Sequence, residues 1–310
     1  MRSTLKKMAL AIGLLLLGTE LGLRFFLGNF AQSALVELVD DPSLCLVLGK
    51  NRSLSYTGWW GKVTPSVMES NRYGSREYRE SKNDKKQVFV LGDSFTYGQG
   101  VNEKDSLPAQ IQSQMPEIDI WNFGVPGRDF FQFSAEMERL KSLEPDVVIV
   151  NIFANDFDLP PDTCTFSKAA SWQFPIMRQC YLCRLGLFAF VQRKPEEISS
   201  ALMKQAIEKE VQKMQTIAEK EGFLLIISFL TDESTMVGDK KKLPNIRSII
   251  KNQKPYFIDL SYTWGQLTMN PEKYTIPNEF HLNPEGNKIL ATAYVKQLKE
   301  VFQRSKGRKK

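Results

Sequence analysis

Histidine is almost absent from this 310-residue sequence, which contains only His281. Cysteine is also scarce: Cys164, Cys180 and Cys183 form one cluster, and Cys45 stands apart. A structural zinc site needs four ligands, and the single histidine lies far from the cysteine cluster in the sequence. The cysteines therefore favour a disulfide in an oxidising compartment over zinc, with the pairing left open. No cofactor or metal is predicted.

An evenly spread excess of positive charge is missing as well. The formal net charge of +6 comes from the ends of the chain, namely Arg2, Lys6 and Lys7 and the last seven residues. The remainder is near neutral, which argues against a nucleic-acid-binding protein. Residues 306–310 are predicted to be a basic, solvated tail.

Long hydrophobic runs are absent except at the N-terminus, where residues 8–27 lie within a predicted signal anchor over residues 1–30. As a helix, this run matches a hydrocarbon core of about 30 Å. Glu20 and Arg24 interrupt it at a spacing that lets them pair on one face. The basic flank predicts a cytoplasmic N-terminus and an exported remainder. The length of the run favours an uncleaved, single-pass transmembrane helix over a signal peptide cleaved near residues 31–33.

Regular periodicity is weak over residues 31–85, which are predicted to form an extended lead, and strands then alternate with helices from residue 86 to 305. The predicted strands cover residues 88–91, 118–123, 146–153, 223–230 and 256–260. The predicted helices cover residues 105–114, 130–143, 199–221, 242–252 and 284–302. Repeated strand–helix units predict a parallel sheet of about five strands with helices on both faces. Residues 158–196 are predicted to be an insertion.

Polar residues follow the predicted strands, at the sheet edge where open α/β folds bind ligands. The first strand ends in Gly92-Asp93-Ser94, the second is followed by Gly127 and the third by Asn155, while His281 precedes the last helix. A serine hydroxyl needs a base to become a nucleophile, and the base needs an orienting group. The developing oxyanion needs fixed N–H donors, each commonly worth about 2.7–4 kcal/mol. The pattern therefore indicates acyl transfer.

Four sequence blocks, in order, resemble those of the SGNH, or GDSL-type, hydrolase family. They are Gly92-Asp93-Ser94-Phe95, Asn122-Phe-Gly-Val-Pro-Gly127, Phe153-Ala-Asn155-Asp156 and His281-Leu-Asn-Pro-Glu-Gly286. The resemblance implies a three-layer α/β/α, flavodoxin-like domain over residues 86–305, and an exported serine esterase or acyltransferase. It also implies that Ser94 is the nucleophile and His281 the base. The oxyanion hole would consist of the Ser94 amide, the Gly127 amide and the Asn155 side chain.

The sequence departs from the family pattern at two positions. Phe153 stands where the third block usually has glycine, and Asn278 stands where the family commonly has aspartate. Some envelope members carry the acid one position later, where this chain has Glu279. Residues two apart in an extended segment share a face, so Glu279 is predicted to orient His281 and Asn278 is not. A turn within this segment would reverse that ranking.

The predicted function is a membrane-anchored serine esterase outside the cytoplasm, which removes acyl groups, including O-acetyl groups, from envelope glycans or lipids. An alternative is an O-acyltransferase that uses the same Ser94 intermediate to modify an envelope polysaccharide. That alternative requires a membrane protein that delivers acyl groups, because the chain has one predicted span. A non-catalytic envelope binding protein on the same scaffold is a third hypothesis, motivated by Asn278.

Overall fold

The computed structural model describes residues 2–26, 36–38, 44, 46–56, 66–76, 84–157, 199–231, 246–253, 255–277 and 279–306. Several predictions fall outside these residues: the pairing of the cysteines, the insertion over residues 158–196, the orientation of Asn278 and most of the basic tail. The numbering of helices and strands below follows their order in the chain.

The N-terminal helix α1 covers Arg2–Phe26. Its large apolar side chains that are at least half exposed are Met8, Ile12, Leu14, Leu15, Leu16, Leu17 and Leu21. Within the described part of the chain, no helix reaches the length and apolarity needed to span a bilayer.

The stretch predicted as an extended lead contains four short strands. Strand β1 (Val36–Leu38) pairs antiparallel with β2 (Leu46–Leu48). Strand β3 (Arg52–Tyr56) pairs antiparallel with β4 (Ser66–Ser70). These strands have three to five residues each, too short for a periodic pattern to stand out in the sequence.

A five-stranded parallel sheet forms the centre of the domain. Its strands are β5 (Lys86–Gly92), β6 (Ile118–Gly124), β7 (Val147–Ile152), β8 (Leu224–Phe229) and β9 (Tyr256–Asp259). The spatial order is β6-β5-β7-β8-β9, and every neighbouring pair is parallel. This is the flavodoxin-like order, in which the ligand crevice lies where the connections change direction, here between β5 and β7. The α/β fold with five parallel strands confirms the prediction.

Helices cover both faces of this sheet. They are α2 (Ser94–Tyr97), α3 (Leu107–Gln114), α4 (Phe133–Leu140), α5 (Ser200–Glu221), α6 (Ile246–Asn252), α7 (Ser261–Thr268), α8 (Pro271–Tyr274) and α9 (Pro284–Lys306). Phe89 and Leu91 belong to a core with α4, α5 and α6. Val88 and Val90 point the other way, into a core with α3, α7 and α9, as alternation along a strand requires. The two cores make the domain a three-layer α/β/α structure.

Local signals explain which helices the sequence predicts. Asn283 caps α9, since its Oδ1 accepts a hydrogen bond from the Gly286 amide at 3.0 Å, as its position before Pro284 predicts. Helix α7 is absent from the sequence-based prediction because it starts directly after β9, with Leu260 at its N-cap and no side-chain cap. The predicted helix over residues 130–143 is α-helical only in its middle, with a 3₁₀ turn at each end.

Candidate active site

The turn that carries Ser94 is built at the carboxyl end of the central strand β5. The Asp93 side chain caps α2, with Oδ1 accepting the Phe95 amide at 2.9 Å. Gly92 is required by close packing, because an added Cβ would lie 2.1 Å from Thr96 Oγ1. Gly98 ends the helix with a φ of 81°, a left-handed conformation that favours glycine. Ser94 is therefore held at the start of a one-turn helix.

The structure brings together the three residues predicted to form the catalytic triad. Ser94 Oγ lies 2.9 Å from His281 Nε2, and His281 Nδ1 lies 3.3 Å from Glu279 Oε2. The side chains of His281 and Glu279 are 16% and 5% exposed. A proton can thus pass from the serine hydroxyl to the imidazole, while a shielded carboxylate faces the other ring nitrogen.

A tight turn before α9 orients these side chains. The Ile276 amide donates to the His281 carbonyl at 2.9 Å, and the Glu279 amide donates to the Ile276 carbonyl at 3.0 Å. Phe280, between the two inward-facing residues, is 84% exposed. The segment is a turn, not the extended stretch that the sequence predicts, and it still directs Glu279 and His281 toward each other. The competing residue, Asn278, lies outside the described residues.

The three predicted oxyanion donors follow β5, β6 and β7. Neither the Ser94 amide nor the Gly127 amide has a hydrogen-bond acceptor within the described residues. Gly127 has a φ of 81°, which turns the chain after β6. Asn155 lies in a 3₁₀ turn after β7 and is exposed. Two main-chain amides without an acceptor in the described residues and one exposed side-chain amide thus lie at the same sheet edge. Such N–H donors are suited to stabilising an oxyanion.

Asp93 carries a buried carboxyl group next to this site. Its burial raises the pKa of Asp93, an effect opposed by a hydrogen bond from the Phe95 amide, the charge of His281 and the Asn155 side chain. These contacts link the acid that caps α2 to the base and to the third oxyanion donor. Asp93 therefore has a local structural role, separate from the carboxylate that faces His281 Nδ1.

Aromatic rings pack behind His281. The Phe95 ring centroid lies 4.6 Å from the imidazole centroid and stacks on Phe153. Phe153 also contacts Trp264 edge-on, at 4.9 Å between centroids. Its loop is held by Asp156, whose Oδ2 accepts the Phe153 amide at 2.8 Å. The phenylalanine that replaces the usual glycine thus belongs to the packing that supports the base.

Beneath Ser94 lies a buried polar network that the sequence does not predict. Tyr294 Oη donates to Asn151 Oδ1 at 2.7 Å, and Asn151 Nδ2 donates to Thr96 Oγ1 at 3.0 Å. The network connects α9, β7 and the nucleophile helix. Only Asn151 is a lone polar residue in an apolar strand, and no local sequence signal connects it with Thr96 and Tyr294. Among the described residues no group of histidine, cysteine or acidic side chains is placed to hold a metal ion.

Several known proteins are similar to this chain. The model of the GDSL-like lipase/acylhydrolase family matches residues 90–289, and no curated protein matches the chain. A lipolytic G-D-S-L family protein from Veillonella parvula is 14% identical, with a TM-score of 0.43 over 68% of this chain and 96% of that one. The SGNH-hydrolase family esterase AlinE4 is 13% identical, with a TM-score of 0.41 over 71% and 98%. The salicylyl-acyltransferase SsfX3 from a tetracycline biosynthetic pathway is 11% identical, with a TM-score of 0.43 over 72% and 57%.

Proposed function

The chain belongs to the GDSL-like lipase/acylhydrolase family of SGNH-type enzymes, and on that premise we propose that it is an exported, membrane-anchored serine esterase. Its substrates are acylated glycans or lipids of the cell envelope, including O-acetylated ones. The observation that carries the proposal is the 2.9 Å distance between Ser94 Oγ and His281 Nε2. A serine within hydrogen-bond reach of a base, itself facing a carboxylate, is the arrangement that nucleophilic ester cleavage requires.

The first half of the reaction forms an acyl-enzyme. Ser94 Oγ attacks the ester carbonyl carbon as His281 Nε2 takes the hydroxyl proton, and the Glu279 carboxylate stabilises the resulting imidazolium. The carbonyl oxygen becomes an oxyanion, which the amides of Ser94 and Gly127 and the Asn155 side chain stabilise. Collapse of this intermediate breaks the ester C–O bond, and His281 returns the proton to the departing alcohol.

The second half releases the acyl group. His281 takes a proton from a water molecule, whose oxygen attacks the acyl carbon, and the carboxylic acid leaves as Ser94 regains its proton. The partly exposed His281 side chain gives water a route to the acyl-enzyme. If an acceptor hydroxyl takes the place of water, the same intermediate performs acyl transfer.

Hydrolysis of p-nitrophenyl acetate by the wild type and by Ser94→Ala tests the proposal. We expect release of p-nitrophenol to fall to the uncatalysed background in the variant, and a serine-directed fluorophosphonate to label only the wild type. Equal rates in both proteins would support a non-catalytic binding protein instead. If an added polysaccharide speeds the release of p-nitrophenol and itself becomes acetylated, the result would support the acyltransferase.

The membrane-anchored location is proposed from the N-terminal segment. No helix of the described residues is long and apolar enough to span a bilayer, so the support for this location is the basic flank of the signal anchor predicted over residues 1–30 and the exposed leucines of α1. We expect carbonate-washed membranes to retain the full-length protein, and protease added from outside to degrade the catalytic domain. A soluble form that starts near residue 34 would instead support a cleaved signal peptide.

A further inference from the structure

We propose that Arg76, which precedes the residues matched by the family model, is a positioning residue for Ser94. The inference rests on the proposed function, because it assigns Arg76 a part in the reaction of that serine. Arg76 follows β4, outside the 90–289 range of the family match. It is nevertheless among the largest fully buried side chains of the described residues, at 1% exposure.

The Arg76 guanidinium binds the backbone that ends the nucleophile helix. Nη1 donates to the carbonyls of Tyr97 and Gly98, each at 2.5 Å. Nη2 donates to the carbonyls of Val101 and, at 3.2 Å, Val67. One side chain therefore satisfies three carbonyls of the loop over residues 97–101. These carbonyls include the C-terminal end of α2, where a cation is electrostatically favourable.

The environment of Arg76 favours this contact over an ion pair. Within the described residues no carboxylate forms a salt bridge with it. Burial lowers the pKa of Arg76, an effect that the charges of Tyr97, Glu103, Glu69 and Asp105 only partly oppose. The guanidinium also lies over the Tyr97 ring, at 4.4 Å from its centroid. A buried guanidinium that binds mainly carbonyls is directional, because its five N–H donors have a fixed planar geometry.

Two backbone hydrogen bonds carry this restraint to Ser94. The amides of Gly98 and Gln99 both donate to the Ser94 carbonyl at 3.0 Å, and Arg76 holds the Gly98 carbonyl on the adjoining peptide. Gly98 leaves room for this approach, since an added Cβ would lie 2.8 Å from Arg76 Nη1. A shift of the guanidinium would therefore move the peptide that sets the position of the nucleophile.

The segment that carries Arg76 is attached to the catalytic domain at further points. The Arg76 amide donates to the Asn122 carbonyl on edge strand β6 at 2.8 Å, and Tyr73 packs edge-on against Trp121 of the same strand. Closer to the N-terminus, the Leu44 carbonyl accepts a hydrogen bond from Arg128, the residue after the oxyanion glycine. Tyr73 and Arg76 thus contact β6, and Leu44 separately contacts the loop after it.

The test compares wild type, Arg76→Lys and Arg76→Gln as full-length proteins. Lysine keeps the charge but cannot hold several carbonyls in the planar geometry of the guanidinium, so we expect kcat for p-nitrophenyl acetate to fall by about 10²-fold, as a misplacement of about 1 Å can cause. KM should change little, and fluorophosphonate labelling of Ser94 should slow by a similar factor. Arg76→Gln is neutral, so it avoids burying a displaced charge and serves if the lysine variant does not fold.

Glu210→Ala is the matched control. Glu210 is also buried and also binds backbone, accepting the Ser134 amide at 2.9 Å, but it lies on α5, away from the nucleophile loop. The Glu210→Ala variant should be less thermally stable, but its folded fraction should be labelled by the fluorophosphonate at the wild-type rate. The proposal is overturned if folded Arg76→Lys or folded Arg76→Gln is labelled by the fluorophosphonate at the wild-type rate. It is also overturned if both variants fail to fold, or if both lose activity only in proportion to their folded fraction. Ser94→Ala, assayed in parallel, tests the proposed function separately. If it hydrolyses the ester as fast as the wild type, the proposed function has failed. If it is inactive, the Arg76 variants test the positioning role alone.

Discussion

His281 Nδ1 lies 3.3 Å from Oε2 of Glu279, two residues earlier in the chain. This contact places Glu279 where it can orient the base, as the sequence predicts, and the choice between Glu279 and Asn278 is tested by substitution. Glu279→Gln should lower kcat by about 10⁴-fold, the loss known when a triad carboxylate becomes an amide and the histidine takes the wrong tautomer. Steady-state kinetics with p-nitrophenyl acetate should show KM nearly unchanged.

Asn278→Ala is the control for this experiment, and its effect on kcat should be mild. If Asn278→Ala were the more damaging change, the chain would have to turn so that residue 278 faces the base. Small effects from both substitutions would reduce the site to a Ser94–His281 pair.

The Asn155 side chain is the one proposed oxyanion donor that can be removed by mutation without altering the backbone. Asn155→Ala should lower kcat by about 10²–10³-fold, since one donor of this kind commonly contributes about 2.7–4 kcal/mol to the transition state. Because the oxyanion exists only after attack, KM should stay close to the wild-type value. A change confined to KM would place Asn155 in substrate binding instead.

Gly127 and Gly222 form a matched pair with φ angles of 81° and 80°. Alanine at either position should cost about 1–2 kcal/mol of folding free energy, the strain of a left-handed residue. Gly222 lies at the end of α5, where an added Cβ meets nothing within 4 Å, so Gly222→Ala should keep its kcat. Gly127→Ala should also lower kcat, because strain there shifts the main-chain amide that is proposed to bind the oxyanion. Equal kcat values in the two variants would contradict the role of Gly127.

Glu136 is buried between two arginines beside the oxyanion loop. Burial raises its pKa, but the charges of Arg128 and Arg139 and the hydrogen bond from Arg139 outweigh that effect, so the pKa of Glu136 lies below its ordinary value. A lowered pKa in the folded state means that the ionised carboxylate stabilises the fold above the unfolded pKa of about 4.3. That stability is lost as the pH falls through the lower folded pKa.

Glu136→Gln should therefore destabilise the protein by about 3–5 kcal/mol at neutral pH, since it leaves Arg128 buried without its carboxylate. Urea unfolding at pH 7 and at a series of acidic pH values measures the difference. The difference in free energy of unfolding between wild type and variant should become smaller toward low pH, where Glu136 of the wild type is also neutral. A difference in free energy of unfolding that does not change with pH would show that the charge of Glu136 is not its cause.

Fold and site differ in how far local sequence predicts them. Every boundary of the five sheet strands lies within two residues of its predicted position, because buried parallel strands are short, continuous apolar runs. Helix α9 begins where Asn283 and Pro284 predict it. The residues around Arg76 gave no such signal, since their structure depends on contacts with β6 and the nucleophile loop rather than on periodicity.

The sequence by itself determined the α/β class, the order of the four catalytic blocks and the residue types available for acyl transfer. These properties follow from local patterns, namely the continuous apolar runs of the strands and the residues at their carboxyl ends. Only the tertiary structure decided that residues 187 positions apart, Ser94 and His281, meet at 2.9 Å, and that a buried arginine from a preceding segment supports the nucleophile turn. Such contacts depend on how separate elements pack, and a side chain that binds backbone carbonyls is compatible with almost any sequence at its partner positions.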